Sequence, residues 1–210
     1  MSILFVTKAS GGHGRPASMT VIPPSQEVSP AALAACGAAA GLNGVALADV
    51  VSAIAMHARV SARLARAAAE QTSQPARRQL HEHLAQMYED RVTTLEGLLH
   101  KLGLPRRYVS PAARMAAFVA ESVGQAPLLS GSIDAGLLEF VLLDVASTLA
   151  ERSLADTRAL AAIAGSAQPS SVAVQLAKAS HALKTDVALL EKVQARRSQE
   201  LLAVVQGPKG

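Results

Sequence analysis

Residues 75–103, PARRQLHEHLAQMYEDRVTTLEGLLHKLG, decide how the whole chain is read. Leu80, Leu84, Leu95, Leu98 and Leu102 recur at intervals built from threes and fours, so they line one side of a 3.6-residue helix. Thr72 or Ser73, with Pro75 in the first turn, reads as the start, and Gly103 with Pro105 reads as the stop. The spacing predicts a helix over about 74–102. Upstream, Leu47, Val50, Ile54, Leu64 and Ala68 form a second such stripe, completed by His57 and Ser61, which predicts a helix over about 45–71. So few residues separate the two that they must lie antiparallel, side by side.

The same signals recur downstream. Ser110-Pro111 opens a shorter amphipathic helix to about Val123, placed as a crossover. Ser132, with Asp134 in the first turn, caps a third long helix over about 133–164, which Gly165 and Pro169 end. Ser170 or Ser171 caps a fourth over about 171–205, ended by Gly207-Pro208. Ser29-Pro30 begins a short helix over about 30–40, and Gly41 to Gly44 end it. Residues 1–28, rich in Gly, Pro, Ser and Thr, show neither helical nor strand periodicity and read as a flexible N-terminal tail. The expected fold over 29–206 is all-α: an antiparallel, ferritin-like four-helix bundle of two hairpins joined by a crossover containing a short helix.

Composition agrees. In 210 residues, 50% are hydrophobic but 2% aromatic, and Trp is absent, which suits helices packed through small side chains rather than a β-sandwich. The single cysteine, Cys36, excludes an intramolecular disulfide and a cysteine zinc cluster and fits a cytoplasmic location. Met1 to Val6 lacks the basic flank and length of a signal peptide. The apolar stretch Gly136 to Ala150 is shorter than a membrane span and carries Glu139 and Asp144, so it reads as a core helix and no membrane partner is expected.

Gln79-Leu80-His81-Glu82-His83-Leu84, continuing through Thr94-Leu95-Glu96 to Leu102-Gly103, resembles the second helix of the YciE/YciF family of ferritin-like bacterial stress proteins. Ile133-Asp134-Ala135 and Lys184-Thr185-Asp186 are similar to that family too, and the likeness spans about residues 45–205. The resemblance implies a ferritin-like fold and places His57 at the family's first-helix glutamate and His83 at its histidine. Gln86, Val145, Thr148 and Ala182 stand where further acids would be, so it implies a degenerate di-iron site, with either no cofactor or iron. No Glu-x-x-His pair occurs on the helices that would carry one.

Three functions follow as expectations. The first is a structural, interaction or stress-associated protein, more non-enzymatic than enzymatic, working as a homodimer or larger assembly or with a protein partner. The second is a metal-binding, oxidant-handling protein that uses His57, His83 and an acid. Asp144 and Glu151 share a face of the third helix but lie about 10 Å apart along its axis, so one ion could take one of them. The alternative for those acids is an internal ion pair with Arg91. The third is a binder of nucleic acid or another acidic partner through Arg59, Arg63, Arg66, Arg77 and Arg78, in keeping with a formal charge of +4. Scarce aromatics argue against single-stranded nucleic acid.

Overall fold

The computed structural model describes residues 2–4, 20–22, 28–129 and 135–206, with side chains over 28–123 and 136–202. Seven helices account for nearly all of it: α1 Pro30–Ala38, α2 Gly44–Gln71, α3 Pro75–Lys101, α4 Pro111–Leu129, α5 Ala135–Ser166, α6 Ser171–Lys184 and α7 Val187–Gln206. Strands β1 (Ser2–Leu4) and β2 (Thr20–Ile22) pair antiparallel, with Ser2 opposite Ile22. The rest of the tail, the Ser132–Asp134 cap and the Gly207-Pro208 stop lie outside the described residues.

Local chemistry sets the helix limits. Ser29 accepts a hydrogen bond from the Ala32 N–H with Pro30 behind it, and Asn43 and Ser170 cap α2 and α6 in the same way. Gly103 takes φ +80° and ends α3, a conformation that costs glycine nothing. At the head of α3 the N-cap is Gln74, without a side-chain bond. Thr72 and Ser73, expected to cap there, give their hydroxyls to Glu139 of α5 instead. A buried carboxylate is the more demanding acceptor.

The long fourth helix is broken. Arg91 of α3 donates to the Leu183 carbonyl at 3.0 Å and to Asp186 at 3.2 Å, and two turn residues, Thr185 and Asp186, separate α6 from α7. A side chain that claims a helix carbonyl interrupts the ladder at that point.

α2 packs chiefly on α3 and then on α4, while α5 packs on α6 and α7; contacts between the two hairpins, α2 with α5 and α3 with α6, are sparser. The apolar core falls into two clusters. One contains Leu47, Val51, Ile54, Leu95, Leu99, Leu160, Leu176 and Leu183. The other contains Val60, Leu84, Met87, Leu143, Leu149, Leu190 and Val193. Between these clusters in sequence lie His57 in α2, Arg91 in α3, Asp156 and Thr157 in α5, and Thr185-Asp186 at the α6–α7 join. Among the described residues α2 is long and apolar enough to cross a membrane, but 61% of its apolar window is buried in this packing.

α1 crosses α2 with the backbones almost touching: a Cβ on Gly44 would overlap the carbonyl oxygens of Leu33 and Ala34, whereas one on Gly97 in α3 would meet nothing. Gly44→Ala should therefore destabilise the protein by about 3 kcal/mol through overpacking, and Gly97→Ala should stabilise it by about 0.5–1 kcal/mol. Urea denaturation of the two variants checks both signs.

Candidate functional site

α2, α3, α5 and the end of α6 contribute to a polar belt between the two apolar clusters. From α2, His57 Nδ1 lies 3.0 Å from Asp156 Oδ2 of α5, and its Nε2 lies 3.5 Å from the Ser61 hydroxyl. The Asp156 contact is one of proximity, since Oδ2 has no aligned hydrogen-bond partner. The other oxygen of Asp156 takes Arg152, one turn earlier, at 3.2 Å. From α3, the Arg91 guanidinium, 3% exposed, bonds the Ser153 carbonyl, Thr157, the Leu183 carbonyl and Asp186. Tyr88, a turn earlier, is fully buried with its hydroxyl unpaired. Burial pushes its phenol up to about 12, with Ser153 and Arg91 beside it offsetting part of the effect.

The atoms of Ser61, His57 and Asp156 have the order of a nucleophile, base and orienter. Ser61, however, has no exposed surface and sits mid-helix, where backbone N–H groups are committed to carbonyls one turn back and cannot stabilise an oxyanion. Nor does the belt suit a di-iron centre, which needs carboxylates from each helix and Glu-x-x-His pairs. Its one imidazole and its buried aspartate engage each other, and a fixed guanidinium repels cations. Among the described residues, no three His, Cys, Asp or Glu side chains lie close enough to share a metal ion.

A second polar cluster closes one end of the bundle. Glu139 of α5 accepts from the Thr72 hydroxyl at 2.5 Å and from the Ser73 N–H and hydroxyl, and it faces Arg77 at 3.4 Å; Arg77 also reaches Glu200 of α7 at 2.7 Å. Burial acts to raise the Glu139 pKa, but these hydrogen bonds and Arg77 outweigh it and hold the carboxyl below its ordinary 4.5. His81, 1% exposed with Nδ1 unpaired, sits beside this cluster. Burial lowers its pKa, opposed by Glu139 and assisted by Arg77 and Arg196.

The residues singled out from sequence have separate fates. His57 is buried in the belt, and Glu151 stands exposed at the mouth of a cleft that His57 also lines. His83 is exposed on α3, facing Leu189 and Lys192 of α7, so it is not His57's neighbour across the first hairpin. Asp144 pairs with Arg197 at 2.6 Å. Arg91 pairs with Asp186 and with neither Asp144 nor Glu151, because the face carrying 144, 148, 151 and 155 points largely outward. The arginine cluster is spent internally: Arg59 on Glu96, Arg63 on Glu121, Arg66 on Glu89, buried Arg77 on Glu139 and Glu200, and Arg78 on the Thr72 carbonyl. Cys36 is buried with its thiol donating to the Gly44 carbonyl, and burial raises its pKa.

Sequence reading passed over Asp156, Tyr88 and His81. Counting back from Leu95 by fours and threes gives Arg91, Tyr88, Leu84, His81 and Arg77, all buried, so the signal for two of the three was present. Comparison with family models, curated proteins and solved structures returns no match.

Two pH dependences follow. The Glu139 contribution is complete above pH 4.5 and lost as pH falls through its lowered native value; Glu139→Gln should cost about 2–3 kcal/mol at pH 7 and flatten the acid limb of a urea-stability profile. Tyr88 acts at the other extreme. The unfolded phenol ionises near 10 and the native one near 12, so stability should fall by roughly 3 kcal/mol across that window. Tyr88→Phe should remove most of that fall while changing stability little at pH 7.

Proposed function

We propose that this chain is a ferritin-like helical-bundle protein, akin to the YciE/YciF stress proteins, whose di-iron site is degenerate and which acts in the cytoplasm as a structural or interaction protein, assembled as a homodimer or larger oligomer. The observation that carries the reading is the belt. α2, α3, α5 and the end of α6 meet at mid-bundle, and what they present there is an arginine held by carbonyls and aspartate, a histidine facing an aspartate, and a buried phenol. Such a belt fixes how helices sit and leaves no open coordination position.

The outer face of α4 supports association. Met115, Phe118 and Val119 are exposed there together, Phe118 at 69%, and clustered exposed apolar side chains mark interaction surfaces. The electrostatic reading has less behind it, since the arginines it needs already have partners within the chain.

Purified protein should run at a multiple of 21.6 kDa in analytical ultracentrifugation, and Phe118→Glu should shift it toward the monomer without loss of helical signal. Two irons per chain with ferroxidase activity would overturn the proposal, and a wild-type monomer would remove its oligomeric part.

A further inference from the structure

Beside the belt lies a cleft of about 610 Å³, walled by α4 and floored by α2 and α5. Its lining is mostly apolar, from Ala53, Ala116, Val119, Ala120, Val123 and Leu149 among others. The volume falls within the roughly 300–1,000 Å³ of small-molecule sites and is too small for a helix with its side chains. It remains open because α4 packs on α2 and only lightly on α5.

Four polar side chains reach it: His57, Thr148, Glu151 and Arg152. Three are committed. His57 faces Asp156, Arg152 is neutralised by the other oxygen of the same aspartate, and Thr148 gives its hydroxyl to the Asp144 carbonyl. Glu151 is exposed and, among the described residues, has no ion-pair partner. The cleft thus presents an apolar interior with one uncompensated negative charge at its mouth. We infer that it binds a small amphipathic cation, an aliphatic or aryl amine whose apolar body lies along α4 and whose ammonium group meets Glu151. Carboxylate-headed amphiphiles of the same length are disfavoured by that charge, and alcohols gain nothing from it. The cleft shares Met115 and Val119 with the association face above, whereas Phe118 lies outside it, so Phe118→Glu tests association and Glu151→Gln tests this site.

Calorimetric titration of the full chain at pH 7 with nonan-1-amine, nonan-1-ol and nonanoate tests the inference. The amine should bind about fivefold more tightly than the alcohol, and nonanoate most weakly, a ratio in keeping with a partly exposed ion pair beside apolar surface. Glu151→Gln, at an exposed position, should bring amine and alcohol to equal affinity. Ala116→Phe should fill the cleft and abolish binding of all three with the sedimentation mass unchanged. Absence of amine binding, equal binding of the three probes by the wild type, or an amine preference that survives Glu151→Gln would each overturn it.

Discussion

A guanidinium in the middle of an apolar bundle sets the terms for everything round it. Arg91 cannot shed its proton, and a cation left alone in such surroundings would cost several kcal/mol. Its site must therefore be built from acceptors, and those come from two helices and a turn: the Ser153 carbonyl and Thr157 on α5, the Leu183 carbonyl at the end of α6, and Asp186 in the turn before α7. Meeting that demand breaks the fourth helix and divides the core into two apolar clusters. It also ties the first hairpin to the second at a level where contacts between them are otherwise sparse. His57 with Asp156 repeats the arrangement on the opposite pair of helices.

Much of this was legible in the chain itself. Caps, proline starts and glycine stops placed most helix ends within two residues, because those signals act locally and need no tertiary context; α4 runs to Leu129, six residues past the expected Val123, and the expected fourth helix is two. The inner stripe of α3 was equally available, although its polar members were masked by the adjacent leucines. α5 was harder. Its alanine-rich composition puts apolar residues on every side, so the face bearing Asp144 and Glu151 looked internal while the burying face passed through Ser153, Asp156 and Thr157. The α6–α7 break had a local signal in Thr185-Asp186, a cap pair set within a helical pattern, but the partner that gives it meaning lies 95 residues away. No local rule reports such a pairing.

The His81-Glu82-His83 run shows how much depends on one step of register. Residues two apart lie on nearly opposite sides of a helix, so a single histidine of the pair can be internal. The structure buries His81 and exposes His83. Likeness to other sequences had favoured His83, yet the leucine stripe alone selects His81. The buried imidazole joins Arg77 and Glu139 at the end of the bundle, where the α2–α3 turn is fastened to α5 and α7.

The light contact between α4 and α5 has a consequence for cooperativity. Because α4 rests on α2, it gains its stability with the first hairpin, whereas the opposite side of the cleft belongs to the second. Local openings follow such divisions of contact. The cleft is in that sense a seam between two cooperative units, and whatever occupies it acts on their docking as well as on its own binding equilibrium. A small occupant there would hold the halves together from outside the polar belt that already joins them within.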